Sequence, residues 1–260
     1  MEIYRIWGFI SRAMSSLFGE TRTRVGARHA LIAPDGHVPS VLRGFSGATP
    51  YFLISPSMGA RVTQMLVRFT AGGSAIFPFG KTETALYVLA GGCSVQIGGD
   101  SVRLEAGDYA FCPAGKPLLL SEADADSAVT CFRKIFEPLE GIESPPPRFG
   151  RARDVTAEPF LGNPRTLLQT LLPADLRHDL AMNIFTYEPG ATLPFVETHV
   201  MEHGLVMLDG QGVYRLEESY YPVKAGDVIW MAPYCPQWFV AMGDTPAKYL
   251  YYKNVNRDAS

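Results

Sequence analysis

The chain has 260 residues and a formal net charge of −3, from 23 Lys and Arg against 26 Asp and Glu. That length accommodates one large domain or two domains of about 130 residues each. The near-neutral charge balance, without a long basic run, argues against a role in binding nucleic acid. No stretch approaches the roughly 20 consecutive apolar residues of a membrane-spanning helix, so we expect no membrane partner.

The composition favours an all-β architecture. Hydrophobic residues make up 47% of the chain and charged residues 19%, which allows a sizeable core. Twenty-five glycines and twenty prolines, spread along the chain, are typical of many short strands joined by turns. The four cysteines are scattered and show no CxxC pair, which predicts reduced, buried thiols and a cytoplasmic location.

The first residues are apolar enough to raise the question of a targeting signal. The uncharged run at residues 6–11 is too short for a signal-peptide core, and Arg12 ends it. We expect a short amphipathic helix or a loose extension here. Together with lead-in strands it makes up residues 1–44.

An internal repeat defines the domain organisation. The segment Arg-Leu-Glu-Ala-Gly-Asp at 103–108 recurs as Pro-Val-Lys-Ala-Gly-Asp at 222–227, and Gly91 recurs as Gly210, so both offsets are 119 residues. Two turn signals at one spacing predict a duplicated pair of domains with the same strand layout. We expect a first barrel at 45–140, a proline-rich linker at 141–150 and a second barrel at 151–260.

Short runs of β-branched and aromatic residues fill each copy between the turns. They predict strands that close into a barrel or jelly roll, for example at 94–97, 109–112, 212–216 and 228–231. A Gly-Asp step precedes several of them, and this pair suits a tight turn.

The second copy carries a candidate metal site. Glu197 and His199 are two residues apart, so on a strand their side chains would leave the same face, and His203 follows four residues later. A fourth ligand is expected from the segment 226–237, which ends at Gln237. Imidazole, carboxylate and amide donors suit manganese, iron or nickel, and zinc also accepts His and Glu.

The alternative is that Glu197 and His203 are solvated and His199 is a core histidine. The distribution of histidines argues against it, because His29, His37 and His178 lie far from this segment and the other two lie within four residues of each other, beside an acid.

The first copy has no such ligand set. Counting back 119 residues from Glu197, His199, His203 and Gln237 gives Pro78, Gly80, Thr84 and Leu118. Of these only threonine could ligate an ion. We expect the first barrel to have a structural role, packing against its twin or building a homo-oligomer.

These residues resemble the two cupin motifs, of the form G-x5-H-x-H-x3/4-E-x6-G and G-x5-P-x-G-x2-H-x3-N. Glu197 stands at the first histidine position, His199 at the second and His203 at the glutamate position. Gln237 stands where the last histidine is expected. The first copy keeps only the scaffold Gly-x5-Pro-Ala-Gly at 107–115.

The ligand order Glu, His, His, Gln narrows the resemblance to the (S)-ureidoglycine aminohydrolase family. Segments that carry the resemblance lie at 33–36, 109–113, 197–204, 208–214 and 253–258, so it covers nearly the whole chain from about residue 20. It implies a bicupin, two tandem jelly-roll barrels from an internal duplication. It also implies an enzyme of purine catabolism that converts (S)-ureidoglycine to (S)-ureidoglycolate and ammonia.

The resemblance also assigns residues. Manganese would be bound by Glu197, His199, His203 and Gln237, one ion per chain. The ureide substrate would contact Tyr249 and Lys253, which we take as the catalytic pair, with Glu197 and Gln237 nearby. Tyr214 is either a further hydrogen-bonding group or part of the core.

The strand around Lys253 allows two interpretations. Alternation places Tyr249, Tyr251 and Lys253 on one face, with Leu250 and Tyr252 on the other. By itself this pattern suits an edge strand with a solvated lysine. With the resemblance, Lys253 becomes a partner for the substrate carboxylate or a proton-transfer group.

Two other functions are open at this point. One is another manganese-dependent bicupin enzyme acting on a small organic acid, although such enzymes usually keep three histidines and a glutamate. The other is a non-catalytic cupin that binds a ligand. The reaction product and the metal content distinguish the three.

Overall fold

The computed structural model describes residues 21–257, so the expectation for residues 1–19 lies outside the described residues. Within this range the chain is almost entirely strand. Three single-turn 3-10 helices interrupt it, at Pro34–Gly36, Pro56–Met58 and Ala152–Asp154. None of the helices in this part of the chain is both long and apolar enough to cross a membrane.

Twenty strands are described. The first ten are β1 (Arg24–Val25), β2 (His29–Ile32), β3 (Phe45–Ile54), β4 (Thr63–Phe77), β5 (Thr82–Ala90), β6 (Gly92–Ile97), β7 (Asp100–Glu105), β8 (Asp108–Cys112), β9 (Leu118–Ser121) and β10 (Ala128–Ile135). The others are β11 (Arg148–Arg151), β12 (Glu158–Phe160), β13 (Asn163–Thr170), β14 (Leu180–Tyr187), β15 (His203–Asp209), β16 (Gln211–Leu216), β17 (Ser219–Lys224), β18 (Val228–Met231), β19 (Gln237–Met242) and β20 (Ala247–Asn254).

The predicted duplication is confirmed. Strands β6 and β16 start 119 residues apart, as do β9 and β19. The two pairs of turn glycines also match, with φ of 63° and 67° at Gly91 and Gly210, and 93° and 90° at Gly107 and Gly226. These left-handed conformations favour glycine. At Gly210 a Cβ atom would also lie 2.4 Å from the Pro246 carbonyl oxygen, so a larger residue would disrupt this turn.

Each copy folds as a barrel. In the first, nine strands form one sheet in the order β11-β8-β5-β10-β4-β9-β6-β7, and β3 pairs with the long β4. In the second, eight strands follow the order β1-β2-β18-β15-β20-β14-β13-β12, and β17-β16-β19 form a separate sheet. The predicted all-β fold of two tandem barrels is therefore correct.

The two barrels exchange their lead-in strands. β2 precedes the first barrel in sequence but pairs with β18 of the second. β11 is its counterpart 119 residues later, and it pairs with β8 of the first barrel. The sheets therefore depart from the expected bounds in two places. Part of the 1–44 segment belongs to the second barrel, and the end of the 141–150 linker is a strand of the first.

Three apolar cores result. One fills the first barrel and one fills the second. The third lies between the barrels and includes Leu66 and Phe132 from the first, and Leu250 and Tyr252 from the second. The alternation expected around Lys253 is thus confirmed, because Tyr249 and Tyr251 face the interior of the second barrel. All four cysteines are buried and free.

A charged cluster is buried beside this interface. Lys134 Nζ lies 2.5 Å from Asp179 Oδ2, and both side chains are at most 2% exposed. The fully buried Glu83 lies against Asp179, and burial raises the pKa of Glu83 to about 10. Within the described residues no conventional donor reaches either Glu83 oxygen or Asp179 Oδ1. The Glu83 carboxyl group therefore keeps its proton near neutral pH.

We expect this proton to make folding pH-dependent. The folded chain keeps the Glu83 proton that the unfolded chain releases above pH 4.5, so stability is full below that pH and falls as pH rises towards 10. Glu83→Gln should remove the dependence. The free energy of unfolding of the variant, relative to wild type, should rise by up to about 1.4 kcal/mol per pH unit across this window. Urea denaturation at pH 6 to 9 measures the difference.

The matched control is Glu137→Gln, which changes an exposed carboxylate 3.5 Å from the same lysine. Its stability curve should run parallel to that of wild type. A parallel curve for Glu83→Gln as well would show that Glu83 is ionised in the folded protein.

Candidate metal centre

The four expected ligands lie at the start of two strands and in the loop that precedes one of them. His203 opens β15 and Gln237 opens β19, and their exposed fractions are 7% and 2%. Glu197 and His199 lie in the loop between β14 and β15, so the expected strand is wrong for this pair. Pro194 lacks a backbone N–H, which suits an irregular connection better than a ladder.

A single bridge nevertheless fixes the position of the Glu197 backbone. Glu197 N donates to the Gln237 carbonyl oxygen at 2.8 Å, and Gln237 N donates to the Glu197 carbonyl oxygen at 2.9 Å. The loop is thereby held to the strand that supplies the amide. Backbone pairing brings together two residues that are 40 positions apart in the sequence.

The amide of Gln237 marks the centre of the site. Its Nε2 atom lies 3.3 Å from His199 Nε2 and 3.2 Å from His203 Nδ1. The two imidazole rings stand side by side, with centroids 4.4 Å apart. His199 Nδ1 donates to the Met201 carbonyl oxygen at 3.1 Å, which leaves Nε2 as the acceptor. Ring nitrogens of both histidines therefore converge on one point.

These residues fit a single divalent ion. A cavity of about 10 Å³ lies among Glu197, His203, Gln237 and neighbouring aromatic rings. That is about the volume that one water molecule or ion needs. Within residues 21–257 no three His, Cys, Asp or Glu side chains are grouped closely enough to hold an ion in this conformation; the two imidazoles meet at the Gln237 amide instead. The amide can turn its oxygen towards the histidines, since the Tyr214 hydroxyl that now donates to Oε1 at 3.0 Å can equally accept.

Electrostatics keep both imidazoles neutral. Burial lowers the pKa of His203 well below the ordinary value, and Lys253 and His199 lower it further. Burial and Lys253 also lower the pKa of His199, while its bond to Met201 opposes them. Neutral imidazole is the form that binds a metal. For Glu197, burial raises the pKa and the charge of Lys253 opposes this.

Lys253 stands directly across from His203 in the β15–β20 pairing, so both side chains leave the same face. Its Nζ atom lies 6.0 Å from the centre of the Tyr251 ring. Burial lowers the pKa of Lys253, and Glu197 partly offsets this. The lysine is therefore a half-buried cation at the edge of the site. This rules out the other interpretation of the sequence, a solvated lysine on an edge strand.

The two other expected residues line the same small cavity. Tyr214 is 1% exposed and orients the Gln237 amide. Tyr249 is 3% exposed, and its hydroxyl lies 3.0 Å from that of Tyr187. Both are thus core residues and polar groups of the site at once.

Sequence reasoning did not assign a role to Glu202, which adjoins His203. This fully buried carboxylate accepts hydrogen bonds from the backbone N–H groups of Arg61 at 2.6 Å and Val62 at 3.2 Å, and from the Tyr252 hydroxyl at 3.1 Å. It anchors the ligand-bearing loop to the first barrel. The only signal in the sequence is that Glu202 directly precedes His203, so in an extended chain the two side chains would point to opposite faces. That alternation does not reveal which groups Glu202 contacts.

We expect Glu202→Ala to destabilise the protein by about 2 to 3 kcal/mol, because buried donors would lose their acceptor. Metal affinity should fall about tenfold or more, since a group that orients a ligand would be lost. Urea denaturation and metal titration measure the two effects. Glu218→Ala, at a side chain that is 89% exposed, is the control. Equal stability of both variants would refute the anchoring role.

The first barrel has matching positions without ligands. Phe77 pairs with Leu118 as Glu197 pairs with Gln237, and Thr84 pairs with Cys112 as His203 pairs with Met231. The structural counterpart of Glu197 is therefore Phe77, and the expected Pro78 is wrong by one residue. The reason is that the connections before β5 and β15 differ, so a constant offset fails between them.

Comparisons with known proteins agree with this architecture. The family model of an EutQ-like cupin domain matches residues 57–136, and that of a cupin domain matches residues 183–252. The fold and the site thus define a bicupin whose candidate ligands lie in the second barrel. The relatives that a sequence search finds include two that are described as (S)-ureidoglycine aminohydrolase.

The relative from Arabidopsis thaliana is 34% identical over 94% of this chain and 82% of its own length. The one from Escherichia coli K12 is 35% identical over 88% of this chain and 89% of its own length. The chain belongs to the (S)-ureidoglycine aminohydrolase family.

Solved structures show the same fold. Protein Ylba from E. coli superposes with a TM-score of 0.83 at 32% identity, covering 93% of this chain and 97% of its own. An oxalate decarboxylase of Bacillus subtilis superposes with a TM-score of 0.67 at 13% identity, covering 88% and 78%. This second likeness extends to the fold alone.

Proposed function

We propose that the chain is an (S)-ureidoglycine aminohydrolase of purine (allantoin, ureide) catabolism. It would hydrolyse a C–N bond other than a peptide bond, giving (S)-ureidoglycolate and ammonia. The main support is the identity of about 35% to relatives of that name, spread over both barrels. The polar cluster at the start of β15 and β19 supports the proposal further, because this cluster places a half-buried lysine beside four potential metal ligands.

Glu197, His199, His203 and Gln237 would hold one Mn²⁺ per chain, and another divalent ion would suit the same donors. The set of two nitrogens and two oxygens supports this choice, because it has no thiolate. When bound, the ion supplies positive charge that fixes the substrate and stabilises developing negative charge.

The reacting carbon of the substrate bears an amine, a ureido nitrogen and a carboxylate. Lys253 would bind that carboxylate through its positive charge, or carry the proton that the leaving amine needs, and its lowered pKa supports the second role. Tyr214 would keep the Gln237 amide in one orientation. Tyr249 would present its hydroxyl to the substrate from the buried side, and the aromatic wall would exclude bulk water.

Exposed apolar side chains on the first barrel, among them Ile76, Phe79 and Ile135, support association into a homo-oligomer. The four buried, free thiols support a cytoplasmic location. Sedimentation velocity would measure the assembly.

The deciding experiment is ammonia release from freshly generated (S)-ureidoglycine. We expect release by the manganese-loaded chain well above the non-enzymatic rate, loss of release after chelation, and recovery on adding Mn²⁺. A loaded chain that releases no ammonia would refute the assignment. Release of carbon dioxide from a small organic acid would indicate another bicupin enzyme, and metal-free ligand binding would indicate a non-catalytic cupin.

A further inference from the structure

The first barrel opens into a pocket of about 490 Å³, within the size range of small-molecule sites. Its polar lining consists of Arg61, Thr63, Thr82, Arg133, Lys134 and Glu137. It shares no residue with the small cavity of the second barrel. The pocket is therefore separate from the candidate metal centre.

Arg133 occupies the position in the first barrel that Lys253 occupies in the second. It pairs directly with Thr84, as Lys253 pairs with His203. Its Nε atom lies 3.4 Å from Thr84 Oγ1, and its guanidinium carbon lies 5.2 Å from the centre of the Phe77 ring. In the first barrel, the positions that correspond to the candidate ligands thus carry apolar or hydroxyl side chains, but the position that corresponds to Lys253 still carries a cation.

This guanidinium is unusually placed. It is half-buried, and no carboxylate within residues 21–257 lies at ion-pair distance from it. Burial lowers the pKa of Arg133 without removing its charge. A cation withdrawn from water without a counter-ion is unfavourable, so an anion supplied from solution would be bound here with a gain.

The other charges of the pocket leave it positive. Lys134 is neutralised by Asp179 at 2.5 Å and lies 3.5 Å from Glu137, the one carboxylate among the lining residues. Arg61 is exposed and forms no salt bridge in the described part of the chain. Two guanidinium groups and the hydroxyls of Thr63 and Thr82 are thus available to a ligand.

We propose that this pocket is a second binding site, which takes a small carboxylate through Arg133 and Arg61. The planar fork of a guanidinium matches the two oxygens of a carboxylate. The apolar part of the wall would contact the remainder of the ligand. The proposal is independent of the reaction in the second barrel.

Calorimetric titration of the full-length chain with malonate tests it. We expect a malonate site that Arg133→Met and Arg61→Met each weaken about tenfold or more, since each removes a charge-assisted hydrogen bond. Arg43→Met, which removes an exposed arginine outside the pocket, should leave the affinity unchanged. Lys253→Met should also retain the site, because that lysine belongs to the other barrel.

Several results would overturn the proposal. Equal malonate affinity in wild type and in both pocket variants would do so. Loss of binding in Lys253→Met with retention in Arg133→Met would place the ligand in the second barrel. Tighter binding of inorganic phosphate than of malonate would exclude a carboxylate site. Arg61 is exposed, so its variant remains decisive even where Arg133→Met unfolds.

Discussion

His199→Ala is expected to remove both the bound metal and ammonia release while the barrel stays folded. The imidazole lies in a loop rather than in a core, so its loss opens no large cavity. It is one of the two imidazoles that converge on the Gln237 amide. Without it, His203 is the one imidazole left among the four candidate ligands. We expect the rate of ammonia release to fall at least about a thousandfold, because a metal-dependent step would lose its ion. Glu197→Ala should behave in the same way.

Elemental analysis of the purified variants and initial rates of ammonia release measure the two losses. Thr198→Ala, at an exposed neighbour in the same loop, is the matched control and should keep both metal and rate. Thermal unfolding of the chelated proteins checks that the fold persists. Full activity in a metal-depleted His199 variant would contradict the assignment of this site.

Lys253→Met is expected to retain the metal and to lose turnover. Methionine preserves the apolar stem that packs near Tyr251 but removes the cation directly opposite His203. We expect kcat to fall about a hundredfold or more if the amine transfers a proton. If it binds the substrate carboxylate, KM should rise as well. Steady-state kinetics with metal analysis separates these effects.

Lys253→Arg distinguishes the two roles further. Arginine keeps the positive charge but does not release a proton near neutral pH. Recovery of KM without recovery of kcat would assign proton transfer, and recovery of both would assign carboxylate binding. Lys224→Met, at an exposed position, is the control. Unchanged kinetics in Lys253→Met would show that the lysine only packs against its neighbours.

The sequence predicts which side chains of the candidate site could bind a metal, but not how they are arranged. Residue types decide which donors exist, so Glu197, His199, His203 and Gln237 could be named from spacing and resemblance. Their arrangement depends on a bridge between residues 197 and 237 and on an amide that Tyr214 orients. Neither contact is local, and no periodicity encodes it. The same holds for Glu202, whose partners Arg61 and Val62 lie in the other barrel.

The sequence by itself determined the duplication and the turns. The left-handed backbone at Gly91 and Gly210 favours glycine for local steric reasons. Such turn glycines therefore recur in the sequence at a fixed spacing. Only the tertiary structure decided the exchange of β2 and β11 between the barrels. It also decided the one-residue shifts that make Phe77 the counterpart of Glu197 and Arg133 the counterpart of Lys253. Register follows from hydrogen bonds across strands that are distant in sequence, so it is fixed only when the barrels close and pack together.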